Sequence, residues 1–171
     1  MDVRFVDGRG FRYVLFWAVL CGVVVLDQAT KAIVQENLAP GQQATFIPGV
    51  LNLELVRNTG AAFSIGQGAG IFFVAVALAV LVAVILMVYR QKDLPLALVV
   101  SLSCVAGGGL GNMIDRIING YVTDFFATSF MDFPVFNVAD VFVTVGVAFS
   151  FVGYLVWDGS RSRGPVESQA V

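Results

Sequence analysis

The chain has 171 residues, of which 58% are hydrophobic and 13% are charged, and its mean hydropathy is +0.85. A soluble domain is nearer half apolar and a quarter charged, so this balance predicts a polytopic membrane protein. The net charge of −2 and the lack of a basic stripe exclude a nucleic-acid partner. Histidine is absent, which excludes Ser-His and Cys-His hydrolysis and histidine-based metal sites. We expect neither a metal nor a cofactor.

Four apolar runs predict membrane-spanning helices, because each is close to the roughly 20 residues that a helix needs to cross a bilayer. They cover residues 13–33, 70–89, 94–114 and 138–157. The first run could alternatively be the hydrophobic region of a secretory signal, since arginines precede it. No small-x-small cleavage site follows it directly, and a retained helix is the favoured interpretation. Cys21 and Cys104 lie inside apolar runs and are interpreted as small packing residues.

The segment 35–69 between the first two runs is more polar. Residues 45–56 are rich in apolar and β-branched side chains around Pro48-Gly49, which predicts a small pair of strands. The tail 159–171 is polar and is expected to be flexible. The predicted fold is therefore an all-α membrane protein, a single domain over residues 1–171. It has four transmembrane helices and a small β-containing extracytoplasmic segment between helices 1 and 2.

Basic residues predict the orientation of these four spans, because they are enriched in cytoplasmic loops. Four spans place both termini and the 90–94 connection on the same side. Seven of the ten basic residues lie on that side: Arg4, Arg9, Arg12, Arg90, Lys92, Arg161 and Arg163. The other side has Lys31, Arg57 and Arg116. We therefore predict cytoplasmic termini, with residues 35–69 and 116–137 facing outward.

Several polar side chains lie at membrane depth or beside it. Residues 112–140 contain Asn112, Asp115, Arg116, Asp124, Asn137 and Asp140. Uncompensated polar groups in a bilayer cost several kcal/mol each, so such a cluster indicates a functional site. Asp27 and Lys31 in the first run have i, i+4 spacing, typical of a helical ion pair at the interface. Gly107 and Gly111 form a small-xxx-small pair that favours close helix packing.

Helix capping is the structural alternative for the acidic residues. Asn137 is a favourable N-cap residue, and an acid three residues later suits the helix dipole. Thr123-Asp124 could likewise cap a short helix through Phe130. However, Asp124 and Asp140 flank a single outward connection, so both can reach one point at the membrane surface. Two adjacent carboxyls share one proton, and such a pair hydrolyses an amide with water as the nucleophile.

Five segments resemble the ordered motifs of bacterial lipoprotein signal peptidase, the type II signal peptidase, an intramembrane aspartyl protease. They are Asp27-Gln28-Ala29-Thr30-Lys31, Asn58-Thr59-Gly60-Ala61-Ala62-Phe63, residues 107–116, Val122-Thr123-Asp124-Phe125 and Phe136-Asn137-Val138-Ala139-Asp140. The likeness covers about residues 13–157. It implies four membrane helices with both termini cytoplasmic, in agreement with the basic residues. It also implies the bacterial inner membrane as location, with the active site at the extracytoplasmic face.

The resemblance implies a role for each matching residue. Asp124 and Asp140 would be the catalytic dyad. The residues that hold the substrate backbone or orient the acids would be Asn58, Asn112, Arg116 and Asn137. Asp27 and Lys31 would support the site from the first helix, Asp115 would be structural, and Gly108 would allow close backbone approach.

The implied substrate is a prolipoprotein whose cysteine carries diacylglycerol, cut on the N-terminal side of that cysteine. Membrane lipid and a globomycin-type inhibitor are the other implied partners, and we expect a monomer. Two other classes remain open from the residues alone. A proton-coupled transporter would use the acids as an ion path, and a scaffold protein would use the glycines for helix contacts.

Overall fold

The computed structural model describes residues 8–60 and 66–162. Its helices are α1 (Gly8–Asn37), α2 (Gly70–Arg90), α3 (Leu96–Asn119) and α4 (Val138–Ser162). Its strands are β1 (Gln43–Ile47), β2 (Leu51–Asn58) and β3 (Val122–Thr128). All four helices are long and apolar enough to cross a membrane, which confirms the predicted four-helix membrane fold.

The helices are longer than the apolar runs that predicted them. Helix α1 continues to Asn37, so the start of the predicted 35–69 segment is helical. Lys31 and Asp27 do not interrupt it, because both side chains have buried partners. Helix α4 continues to Ser162, so the predicted flexible tail begins as helix. Residues 163–171 of that tail, residues 1–7 and the motif residues 61–63 lie outside the described part of the chain.

Helix α3 is the central element, and glycines let its neighbours approach it closely. A Cβ added at Gly107 would lie 2.9 Å from the Leu20 carbonyl oxygen of α1. A Cβ added at Gly146 of α4 would lie 2.8 Å from the Ser101 carbonyl oxygen of α3. Any larger residue at either position would push two helices apart. The small-xxx-small prediction for α3 thus corresponds to a real close contact with α1.

The sheet has the order β1-β2-β3 and is antiparallel throughout. Strands β1 and β2 form the predicted pair, joined by a turn in which Gly49 has a φ of +73°. The third strand follows α3, whose C-cap residue Gly120 has a φ of +80°. The alternative of a short helix capped by Thr123-Asp124 is therefore wrong. Residues 122–128 form a strand because the edge of β2 offers them backbone hydrogen-bond partners. The β-branched and aromatic side chains of residues 122–128 also favour a strand.

Pairing of β2 with β3 brings distant segments to one place. Asn58 at the end of β2 lies opposite Val122 at the start of β3. The chain then returns, and the backbone N–H groups of Phe125 and Phe126 both donate to the Phe136 carbonyl, at 3.0 and 2.7 Å. Because α4 begins two residues after Phe136, its first turn lies beside the ends of β2, β3 and α3.

Candidate active site

Asp124 and Asp140 line the same cavity, which has a volume of about 510 Å³. Asn58, Asn112, Arg116 and Thr144 are the other polar residues that line it. The remaining lining is largely apolar and comes from the 133–136 loop and the first two turns of α4. The structure therefore brings together both predicted acids and three of the predicted supporting residues.

The Asp124 carboxylate is buried and accepts two amide N–H groups. Asn58 Nδ2 donates to Oδ2 at 2.8 Å, and Asn137 Nδ2 donates to Oδ1 at 2.7 Å. Burial raises the pKa of Asp124 to about 6, and the nearby Asp140 charge acts in the same direction. The hydrogen bonds from Asn58 and Asn137 oppose this shift without cancelling it. Asp124 therefore retains its proton up to a pH of about 6, well above the range of an ordinary carboxyl.

Asp140 and Asn137 form a reciprocal cap at the start of α4. The Asp140 backbone N–H donates to Asn137 Oδ1, and the Asn137 backbone N–H donates to Asp140 Oδ2, both at 3.0 Å. The second Asp140 oxygen, Oδ1, accepts Asn112 Nδ2 at 2.8 Å. The hydrogen bonds expected from the capping alternative are therefore present. It also orients Asp140 toward the cavity, so capping and a role in the site are compatible.

Two asparagines connect the acids. Asn137 Nδ2, which contacts Asp124, also donates to Asn112 Oδ1 at 3.1 Å, and Asn112 in turn contacts Asp140. Backbone donors determine which way the amides point. Asn137 Oδ1 accepts the Asp140 N–H, and Asn58 Oδ1 accepts the Gly60 N–H at 2.9 Å. Their NH₂ groups are consequently left to bind Asp124.

A buried ion cluster lies behind this pair of acids. Lys31 Nζ contacts Asp27 Oδ2 at 2.8 Å, Asp115 Oδ2 at 2.9 Å and Asn112 Oδ1 at 2.9 Å. Lysine has three donors, and each has an acceptor here. The Lys31 side chain is only 3% exposed, so the pair predicted at the interface is in fact inside the protein.

The same cluster holds the backbone next to each acid. Asp27 Oδ1 accepts the Ala139 N–H at 3.0 Å, one residue before Asp140. Asp115 Oδ2 accepts the Thr123 N–H at 3.1 Å, one residue before Asp124. Lys31 thereby connects the two carboxylates that position the two catalytic candidates.

Arg116 and Gly108 complete the predicted set. Arg116 Nη2 donates to the Gly60 carbonyl at 2.9 Å, and its guanidinium lies 5.1 Å from the centre of the Phe73 ring. Its Nε is buried and has no hydrogen-bond partner among the described residues. A Cβ added at Gly108 would lie 2.5 Å from the Ala139 carbonyl oxygen, so α3 and the start of α4 are in direct backbone contact.

Gln28 is a further residue of this cluster that the sequence did not single out. Its Nε2 donates to Asp115 Oδ1 at 3.0 Å and to the Gly111 carbonyl at 3.2 Å, and it also contacts Asp27. Its position beside Asp27 in an apolar run was the available signal. Within residues 8–60 and 66–162, no group of three or more His, Cys, Asp or Glu side chains is placed to hold a metal ion.

Comparison with known proteins identifies the family. The family described as Signal peptidase (SPase) II matches residues 19–156. The lipoprotein signal peptidase of Enterococcus faecalis is 42% identical over 151 residues, which cover 88% of this chain and 91% of the relative. That of Symbiobacterium thermophilum is 48% identical over 132 residues, covering 75% and 86%. A solved bacterial membrane enzyme superposes with a TM-score of 0.77 at 33% identity, covering 91% of this chain and 93% of the other. The chain therefore belongs to the signal peptidase II family.

Proposed function

We propose that this protein is an intramembrane aspartyl endopeptidase. It removes the signal peptide from diacylglyceryl-modified prolipoproteins, cutting on the N-terminal side of the lipidated cysteine. Membership of the signal peptidase II family supports prolipoprotein processing by a protease. The observation that carries the aspartyl mechanism is the pair Asp124 and Asp140, which line one cavity and are joined through two asparagine amides.

The two acids have different surroundings, which suggests different roles. Asp124 is buried with a pKa of about 6, so it is the member that holds the shared proton. Asp140 takes a proton from a water molecule as that water attacks the scissile carbonyl carbon. Asp124 donates its proton to the carbonyl oxygen, giving a neutral tetrahedral intermediate. Collapse of the intermediate returns a proton to Asp124 and passes the Asp140 proton to the departing amine.

The supporting residues divide into two groups. Asn58, Asn112 and Asn137 contact the acids directly and fix their rotamers. Arg116 lines the cavity, and its buried Nε–H has no hydrogen-bond partner within residues 8–60 and 66–162, so it is suited to bind a substrate carbonyl. The Lys31 cluster sets the distance between the segments that bear the two acids.

A site at the outer ends of the helices suits a lipid-anchored substrate, because the scissile bond is reached without extracting the lipid. Exposed apolar side chains also gather at the far end of the sheet: Phe46, Ile47, Val50, Phe130 and Met131. The Ser129 N–H donates to the Val50 carbonyl at 3.0 Å, which joins the two segments that carry them. We expect this end to rest on the outer leaflet and to help hold the substrate. The protein would act as a monomer, and a globomycin-type inhibitor would occupy the 510 Å³ cavity.

The transporter alternative receives less support. An ion path needs polar groups through the whole bilayer. Deeper in α3, the Ser101 and Ser103 hydroxyls bind carbonyls of their own helix, at 3.2 and 2.6 Å. The ionisable cluster around Lys31 lies near the sheet, which is at one end of the helices, and an ion path would need such side chains throughout the bilayer.

Cleavage of a diacylglyceryl-modified prolipoprotein peptide by the purified protein tests the proposal. We expect the wild type to release the signal peptide, and Asp124→Asn and Asp140→Asn to lose at least 1,000-fold in rate, on the order of 4 kcal/mol in the barrier. Asp132→Asn is the matched control, because Asp132 is an exposed acid on the same connection. Normal cleavage by either dyad variant would remove that residue from the mechanism. Absence of cleavage by folded wild type would reject the proposed function.

A further inference from the structure

The cavity continues past the two acids along one face of α4. Val141, Val143, Thr144 and Val145 line this part of the cavity, and the 133–136 loop lines it as well. Val141 and Val145 are exposed, so the extension opens sideways from the helix bundle. Helix geometry gives it a depth of about 7.5 Å from Asp140 to Val145. It runs from the end of α4 toward the middle of that membrane-spanning segment.

Thr144 contributes a hydroxyl to this otherwise aliphatic wall. It lies four residues after Asp140, so both side chains share a face of α4. Threonine in a helix commonly binds the carbonyl four residues earlier, as Thr30 does with the Leu26 carbonyl at 2.9 Å. Within the described part of the chain, the Thr144 hydroxyl forms no such bond. A membrane helix that presents a free hydroxyl to an open groove offers it to a ligand.

The dimensions disfavour an acyl chain as that ligand. One leaflet of the hydrocarbon core is about 15 Å thick, twice the depth of the groove. An acyl chain would also cover the Thr144 hydroxyl without giving it a partner, which is unfavourable for a buried polar group.

An extended peptide matches both the depth and the hydroxyl. The rise from Asp140 to Thr144 is about 6 Å, and an extended chain advances about 3.3 Å per residue. Thr144 is therefore about two residues from a scissile bond held at Asp140. A signal peptide that is extended here does not form intrahelical hydrogen bonds, so its backbone carbonyls need other hydrogen-bond donors in the apolar medium.

We propose that Val141, Thr144 and Val145 bind the signal-peptide segment directly upstream of the scissile bond in an extended conformation. The Thr144 hydroxyl donates to the peptide carbonyl two residues upstream, and the acyl chains remain in the bilayer. This inference rests on the proposed function and adds how the substrate is oriented.

The first test removes the hydroxyl. Thr144→Val preserves the shape of the side chain, and we expect it to lower kcat/KM about tenfold, mainly through a higher KM. Thr144→Ser keeps the hydroxyl and should retain wild-type kinetics. Ser150→Ala is the matched control, because the Ser150 hydroxyl binds Ser101 Oγ at 3.0 Å within the protein and is away from the cavity. Unchanged kinetics in Thr144→Val would overturn the inference.

The second test changes the substrate. A lipidated peptide with a trans-alkene in place of the peptide bond bearing that carbonyl should be cut about tenfold less efficiently by wild type, with no further loss in Thr144→Val. An alkene one bond away should leave the Thr144→Val penalty intact. Shortening both acyl chains from sixteen to twelve carbons should leave the Thr144→Val penalty unchanged. A penalty that followed acyl length instead would assign the groove to lipid. The two failures are distinguishable: an inactive wild type rejects the proposed function, whereas an active wild type with an unaffected Thr144→Val variant rejects only this inference.

Discussion

Opposing forces act on the carboxyl of Asp124. Burial favours its neutral form, whereas the amide donors of Asn58 and Asn137 favour the carboxylate, and the pKa of about 6 shows that burial has the larger effect. Because the folded-state pKa lies above the usual 3.8, the native protein holds this proton at pH values where the unfolded chain has lost it. The contribution of Asp124 to stability is therefore largest at low pH and is lost as the pH rises through about 6.

Activity should follow the same titration. In the proposed mechanism Asp124 donates its proton, so we expect kcat/KM to fall as the pH rises through about 6. This pH dependence of kcat/KM is measured from initial rates between pH 4.5 and 8.5, with a lipidated peptide at subsaturating concentration. A rate that rises through the same interval would instead assign the base role to Asp124.

An independent check uses the Asp140→Asn variant, which we expect to be inactive. The Asp140 charge is one of the causes that raise the pKa of Asp124, so removing it should lower that pKa. The carbonyl stretch of the protonated carboxyl, followed by infrared difference spectroscopy, reports this titration. An unchanged titration would mean that the two acids do not interact.

At the residue scale, the sequence identifies the polar residues of the candidate site but not the groups to which each side chain is hydrogen-bonded. Asn137 and Asp140 were each interpretable as caps or as site residues, and the structure shows one hydrogen-bond arrangement that serves both purposes. Asp124 was assigned to the site, but its strand position depends on an edge of β2 that lies more than 60 residues earlier in the chain. Local propensity does not report such a partner.

Among the elements, α1 and α3 define the buried ion cluster through close packing. A Cβ added at Gly111 would lie 2.5 Å from Asp27 Oδ2, the oxygen that contacts Lys31. We expect Gly111→Ala to displace Asp27, to lower activity at least tenfold and to reduce stability by about 1–3 kcal/mol. Cleavage rates and thermal unfolding in detergent measure both effects.

Gly109 provides the control for that substitution. It lies in the same helix, but a Cβ there would have no atom within 4 Å. Gly109→Ala should keep wild-type activity, with a gain of up to about 1 kcal/mol because alanine favours a helix. Equal behaviour of the two variants would contradict the proposed steric effect at Gly111.

The charge of Lys31 makes a second prediction at this scale. Lys31→Met leaves Asp27 and Asp115 buried without their cation, and breaking a buried ion pair costs about 3–5 kcal/mol. We expect a large drop in the thermal unfolding midpoint together with loss of cleavage. Lys92→Met, at an exposed position, should unfold like wild type. A Lys31→Met protein of normal stability would show that the cluster does not hold the helices.

For the whole molecule, the exposed apolar surface of the helices requires a bilayer. Ile71 and Phe72 of α2 are 88% and 63% exposed, a surface that a water-soluble protein would cover. The distribution of basic residues predicts that the sheet and the cavity face outward. This orientation places the acids where a lipidated substrate would meet them.

Cysteine labelling tests that orientation. In a background with Cys21 and Cys104 replaced by alanine, we introduce Asp132→Cys on the loop after β3 or Asp93→Cys between α2 and α3. Both positions are exposed. A membrane-impermeant maleimide added to intact cells should label the first and spare the second until the membrane is permeabilised. The reverse pattern would place the active site in the cytoplasm.

Much of this protein follows from local properties of the chain. The length of each apolar run indicates four membrane spans. The cost of polar groups in or beside a bilayer predicts a role in the site for Asp27, Lys31, Asp124 and Asp140. Both are properties of short segments, so they are readable without coordinates.

Contacts between distant segments required the folded structure. The third strand, the contact of Lys31 with Asp115 and the contact of Gln28 with Asp115 all depend on how α1, α3 and the sheet pack. Residues more than 80 positions apart meet there, and their distances follow from the close approach that Gly107 and Gly111 permit. Helical spacing specifies which residues share a face, whereas only tertiary packing determines which side chain faces them.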